Sequence, residues 1–208
     1  MADAAFWDRI ARKYAARPIS NMDAYEYTLG RTKSYLRETD RVLELGCGSA
    51  STALLLAPGV GHITATDISP EMVQIGREKA QAEGVENIDN IVAGVGDPAL
   101  GDNYDAVLAL NLLHLTDNPK QAIDECYRMV APGGLFISKT PCLEGLFGLL
   151  RLPGAVMHAL GKWPKVQFIS QRRLDEMMTA AGFEIIESGN DAGKSPPSRY
   201  IVARKPIH

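Results

Sequence analysis

A 208-residue chain that is 46% hydrophobic and 23% charged carries enough apolar material for one ordinary globular domain with a full core. Its net charge of −3 gives no electrostatic footprint for nucleic acid, and no apolar run is long enough for stable membrane insertion. There is no signal-peptide pattern, and Cys47, Cys126 and Cys142 are too scattered for a disulfide framework or a metal site, so a cytoplasmic protein is expected.

Residues from about Asp3 to Glu38 predict two helices. Phe6, Trp7, Ile10, Ala11 and Tyr14 recur at helical spacing, Pro18 and Asn21 interrupt, and Tyr25, Leu29, Thr32, Tyr35 and Leu36 resume. Aromatic-bearing helices ahead of the first strand either pack on a sheet edge or roof a site. Next come Val42, Leu43 and Leu45, a short buried strand, then Gly46 and Gly48 in a tight turn, then an apolar helix from Thr52 to Ala57. Such a turn lets a ligand approach backbone and offers it the unpaired N–H groups of a helix end. Glu44, two residues before the first glycine, is unexpected for a pyrophosphate cradle and welcome to a ligand carrying ammonium and sulfonium groups.

Pro58-Gly59 ends that helix, and His62 to Thr66 form a second strand closed by Asp67. Asp67 follows Gly46 by 21 residues, a spacing that suits ribose recognition at a strand end. Ser69 reads as an N-cap with Pro70 at the first helical position. A third strand is expected from Asn87 to Ala93, and a fourth, continuously apolar, from Tyr104 to Leu110. The fourth ends in Asn111-Leu112-Leu113-His114-Leu115, at the carboxyl end where doubly wound sheets bind ligands. Asn118 and Pro119 open a helix that Ala131-Pro132-Gly133-Gly134 stops before a fifth strand, Leu135 to Lys139. From Cys142 to about Gln171 runs a very apolar stretch cut by Pro153-Gly154. It covers the sheet, walls an acceptor pocket, or makes a membrane-surface or homodimer contact. A last helix starts at Ser170 and ends at Ala181-Gly182, before a closing antiparallel pair, Phe183 to Glu187 and Tyr200 to Arg204.

Glu44-x-Gly46-x-Gly48 resembles the first motif of class I S-adenosylmethionine methyltransferases. Phe6 to Tyr14 is similar to the leading segment of the ubiquinone-biosynthesis type, Arg128 to Gly134 to its Arg-x-Leu-x-Pro-Gly-Gly, and Ala180 to Glu184 to its terminal helix-to-strand junction. The resemblance covers nearly the whole chain. It implies an α/β fold: a Rossmann-like, doubly wound, seven-stranded sheet, parallel except for one antiparallel strand. It further implies a single domain over 1–208, with an N-terminal helical lid at 1–38 and a variable insertion at 142–171.

The implied activity is transfer of a methyl group from S-adenosylmethionine to a small-molecule acceptor by in-line displacement, leaving S-adenosylhomocysteine. In that scheme Gly46, Cys47 and Gly48 pass under the ligand, Glu44 favours its positive methionine end, and Asp67 takes the ribose hydroxyls. Ile68 and Met72 flank the adenine or are plain core. The adenine amino group meets the backbone of Gly94 and Val95, or Asp97 after a small shift, because the third strand lacks the family's usual acid or amide. Asn111 and Leu112 border the ligand, Tyr14 and Tyr25 contact it or roof the acceptor, and His114 is the candidate general base or a mere hydrogen-bonding residue of its loop. Ala50 replaces the third glycine of the motif, which suits alanine unless the backbone needs positive φ. Two alternatives stand: a catalytically silent S-adenosylmethionine-binding scaffold, and an NAD-dependent oxidoreductase, for which Ser51 should be glycine.

Overall fold

The computed structural model describes residues 4–143, 151–190 and 197–207. Seven strands form one sheet in the order β3-β2-β1-β4-β5-β7-β6: β1 Arg41–Leu45, β2 His62–Asp67, β3 Ile88–Val92, β4 Tyr104–Leu110, β5 Val130–Pro141, β6 Glu184–Asn190 and β7 Ser198–Arg204. β3, β2, β1, β4 and β5 pair in parallel, while β7 lies antiparallel to both its neighbours.

Period-two alternation splits the core between the two faces. Leu43, Leu45, Val107, Ala109 and Phe136 face α5 (Pro119–Met129) and α7 (Gln171–Ala180), through Ile123, Cys126, Met129, Leu174 and Met178. Val42, Ala106, Leu108 and Ile137 face the opposite way, onto α3 (Ser51–Leu56). The caps follow local chemistry: Ser69 starts α4 (Pro70–Glu83) by accepting from Met72 N at 3.1 Å, Asn118 starts α5 through Gln121 N at 3.2 Å, and Ser170 starts α7 through Arg173 N at 3.0 Å.

β5 begins earlier than its expected start at Leu135. Val130 pairs with Tyr104, Leu135 pairs with Ala106, and the register shift between them absorbs Ala131 to Gly134. Gly134 is required there, since a Cβ would sit 2.9 Å from the carbonyl oxygens of Ala131 and Asp105. Among the described residues, Pro153-Gly154 does not interrupt the helix after the fifth strand. Both lie inside α6 (Arg151–Ala159).

Two helices precede the sheet, α1 (Ala4–Ala15) and α2 (Met22–Lys33). α1 lays Trp7, Ala11 and Ala15 against Met72 and Ile75 of α4, and its Asp8 accepts from Ser69 Oγ at 2.5 Å and Glu71 N at 3.2 Å. α2 is tied to β6 by Glu187, which accepts from Arg31 Nε at 2.9 Å and from Tyr35 OH at 2.5 Å.

Candidate active site

β1 and β2 run to one side of the chain's first crossover and β4 to the other, so their carboxyl ends open a crevice at the switch point. A cleft of about 1340 Å³ occupies it, bounded by the Gly46–Ser49 turn, Asp67-Ile68, Val92–Pro98, Leu110–Leu112 and the linker from α1 to α2. That volume exceeds what one small ligand fills.

The turn is built from alternate left-handed residues, with φ of +65° at Gly46, +55° at Gly48 and +57° at Ala50. A Cβ on Gly46 would lie 2.6 Å from Leu112 Cδ1, whereas a Cβ on Gly48 would meet nothing within 4 Å. Backbone at Gly48 is therefore bare toward the cleft. Asp67 spans the turn and the next helix: Oδ2 accepts from Gly48 N at 2.9 Å and Oδ1 from Ser69 N at 2.9 Å. Burial raises its carboxyl, against the pull of these N–H groups. Behind the turn, Lys79 of α4 donates to Ser49 Oγ at 2.9 Å and Ser51 Oγ at 2.8 Å.

Glu44 shares the sheet face of Val42 and points its carboxyl at the start of α3. The Ala53 N–H supports it, yet burial pushes its pKa up to about 8, with Asp67 adding to the rise. Glu44 Oε2 is buried with no hydrogen-bond partner. An orphaned acceptor on a cleft wall calls for a donor, and a cation satisfies it best. S-adenosylmethionine brings an ammonium and a ribose to a bare glycine turn flanked by Glu44 and Asp67, so the residues present fit it. A pyrophosphate, which carries only acceptors, would leave Glu44 Oε2 unsatisfied, and Ser51 stands where the NAD alternative needs a glycine.

A family model described as a methyltransferase domain matches residues 43–138. A demethylmenaquinone methyltransferase of Thermus thermophilus is 31% identical over 166 residues, covering 70% of this chain and 74% of that protein. The chain belongs to the class I S-adenosylmethionine-dependent methyltransferases. A ubiquinone biosynthesis O-methyltransferase of Xylella fastidiosa is 30% identical over 102 residues, which are 47% of this chain and only 41% of that relative's length. In fold, this methyltransferase is similar to the crystal structure of the [4+2]-cyclase SpnF, with a TM-score of 0.76 at 20% identity over 92% of this chain and 84% of that one.

Of the residues expected around the cofactor, Tyr14, Glu44, Gly46, Cys47, Gly48, Asp67, Ile68, Met72, Gly94, Val95, Asn111 and Leu112 all border this cleft of the methyltransferase, as does Tyr25. Met72 is 2% exposed and also packs under α1, so it serves the core as well. Asn111 holds φ of +62° and donates its N–H to Lys139 O at 2.7 Å, which locks β4's end to β5. Burial, with Glu44 and Asp67, keeps the Cys47 thiol protonated. Asp97 borders the cleft while capping the turn at Pro98–Leu100 through Ala99 N at 2.9 Å.

His114 departs from expectation, since it is not among the cleft-lining residues. Its Nδ1 is buried without a hydrogen-bond partner, its carbonyl accepts from Gln167 N at 2.6 Å, and desolvation lowers its pKa to about 4. An imidazole so reluctant to hold a proton is a poor base. Its folded pKa lies below the unfolded value, so its contribution to stability is present above about pH 6.5 and lost as pH falls toward 4. His114→Asn should flatten that acid limb in urea midpoints measured across pH, with cofactor affinity unchanged.

Ala50 does occupy the strained position anticipated for a glycine. Ala50→Gly relieves about 1–2 kcal/mol of left-handed strain, but deletes a fully buried methyl worth about 0.8 kcal/mol and loosens the unfolded chain. The expected change in melting temperature is about 3 °C or less by calorimetry.

Three features escaped sequence reasoning. The Lys79 clamp, the Asp8–Ser69 contact and the bond from Lys139 Nζ to Thr28 Oγ1 at 3.0 Å each join elements far apart in the chain. Lys139 borders the cleft from β5 and pins α2 over it.

Proposed function

We propose that the protein transfers a methyl group from S-adenosylmethionine to a small apolar acceptor bound between the glycine turn and α2. The observation that carries this reading is the unpartnered, buried Glu44 Oε2 on the wall of a cleft crossed by the bare Gly48 backbone and Asp67. When bound, S-adenosylmethionine supplies a methyl carbon already activated by its sulfonium. The chain's own work is then alignment and exclusion of water.

In this reading Asp67 holds the ribose and Glu44 the ammonium end. Ile68 and Met72 flank the adenine, with Gly94, Val95 or Asp97 at its amino group. Ile19, Tyr25, Leu29 and Leu110 give the remaining volume an apolar lining, with Tyr25 OH held 3.3 Å from Thr52 Oγ1. Tyr14 sits at the mouth, its ring edge-on to Trp7 at 6.0 Å. The relatives named for ubiquinone and demethylmenaquinone support an aromatic, lipid-like acceptor. The three cysteines are free thiols, which supports the cytoplasm as the setting.

The test is incubation with methyl-labelled S-adenosylmethionine and a panel of quinols, phenols, amines and thiols. The expected result is S-adenosylhomocysteine together with label in an organic-extractable product. Tight cofactor binding with no S-adenosylhomocysteine formed from any acceptor would favour the silent scaffold.

A further inference from the structure

Among the described residues, the segment after β5 gives the core Ile169, while α6 neither covers the sheet nor walls the cleft. No residue from 152 to 171 lines the cleft, and among its described side chains α6 has no buried residue. Leu152, Val156 and Leu160 are spaced i, i+4, i+8, which places them on one stripe, and they are 81%, 60% and 62% exposed. Trp163, three residues further, is 45% exposed. Nine of the thirteen large apolar side chains exposed among the described residues fall in just two segments, Tyr14 to Tyr27 and Leu152 to Trp163. Arg9 of α1 donates a short hydrogen bond to Gly161 O, just past α6, so the two segments adjoin.

Charge identifies the occupant of this surface. From Arg151 to Arg173 the chain has five Lys or Arg residues and no Asp or Glu, in a protein whose net charge is −3. The adjoining stretch from Ala4 to Tyr27 adds Arg9, Arg12, Lys13 and Arg17 against Asp8, Asp23 and Glu26. Several of these cations are engaged, Lys165 with Asp117 at 2.9 Å, Arg172 and Arg173 with Glu176 at 3.3 and 3.6 Å, and Arg12 with Glu78 at 3.0 Å, while Lys13, Arg17 and Lys162 stand exposed. An apolar stripe with an interfacial tryptophan, set in a basic field, matches the inner face of an anionic bilayer. A second copy of the chain would set the same cations against one another.

We infer that α6, Trp163 and the tip between α1 and α2 form a docking surface for an anionic lipid bilayer. The helix lies in the interface and does not cross it; no described helix is long and apolar enough to span a membrane. Because the α1–α2 linker also lines the cleft, docking turns the cleft mouth toward the lipid. This inference stands on surface chemistry alone and survives any identity of the methyl acceptor.

The experiment is co-sedimentation of the full chain with phosphatidylcholine vesicles, with and without phosphatidylglycerol, alongside Trp emission spectra and sedimentation equilibrium without lipid. The expected result is partitioning onto the anionic vesicles, weakened by salt, with a blue shift that Trp163→Phe removes. Leu152→Glu with Leu160→Glu, both at exposed positions, should reduce partitioning by about tenfold or more while leaving circular dichroism and cofactor affinity unchanged. No partitioning, or equal partitioning onto neutral vesicles, overturns the proposal. So does a lipid-free dimer that the double variant dissociates.

Discussion

Asp67→Ala is expected to weaken S-adenosylmethionine binding by about 10- to 100-fold, the loss of a charge-assisted hydrogen bond worth roughly 1.5–3 kcal/mol. Its two oxygens already accept from Gly48 N and Ser69 N, and carboxylate oxygens retain acceptor capacity beyond one bond each. That residual capacity, at the end of β2 and facing the cleft, is what a ribose diol would use. The same substitution unties the glycine turn from α4, so the melting temperature should fall as well. Asp67→Asn keeps the shape but sets a donor NH2 against one of those two N–H groups, so the affinity of each variant is read beside its melting temperature. Calorimetric titration of both variants makes the comparison, and an unchanged affinity in Asp67→Ala would remove the assignment.

Glu44→Gln is expected to abolish a steep pH dependence of cofactor affinity. In the free protein Glu44 titrates near 8, since burial and Asp67 disfavour its ionised form. At pH 7 it is therefore mostly protonated. A cationic group beside Oε2 favours the carboxylate, so binding expels a proton, and affinity climbs as pH rises toward 8. The limit is about tenfold per pH unit. Measurements belong below about pH 7.5, because the ligand's own α-ammonium titrates near 8. Titrations in buffers of different ionisation enthalpy should report close to one proton released by the wild type at pH 6.5, and far less by Glu44→Gln.

Stability has the opposite slope. The raised folded pKa makes the neutral-form contribution complete below about 4.5 and lost as pH rises through about 8. The ligand-free wild type should weaken over that window, and Glu44→Gln should not.

Much of this site was legible because its determinants are local. Gly46 and Gly48 declare a positive-φ turn, Asp67 ends the next strand, and Ser69, Asn118 and Ser170 sit where their side chains cap the backbone three residues on. Strand order and the single antiparallel strand followed from the resemblance, and β5 shows the limit of local reading. Gly133-Gly134 punctuates the sequence like a stop, yet the strand passes through it by a register shift.

What stayed hidden is pairing between distant polar groups. Hydrophobic periodicity tells which side of α1 is buried, but not that Asp8 reaches Ser69 or that Arg9 meets Gly161. The position of His114, one residue past the buried Leu113 in a single 3₁₀ turn, depends on how tightly that turn winds. Sequence places it beside the cleft, and the turn rotates it away. Likewise the apolar residues of α6 read as core by composition, although none of those described is buried.

The central claim is that the turn at Gly46–Gly48, Glu44 and Asp67 together grip an adenosyl amino acid. A crystal structure of the chain soaked with S-adenosylhomocysteine tests it most directly. The predicted density has the ribose hydroxyls on the Asp67 carboxylate, the backbone of Gly48 beneath the ligand, and the ammonium turned toward Glu44. An empty cleft at saturating ligand, or a nucleoside lodged away from Asp67, would contradict it.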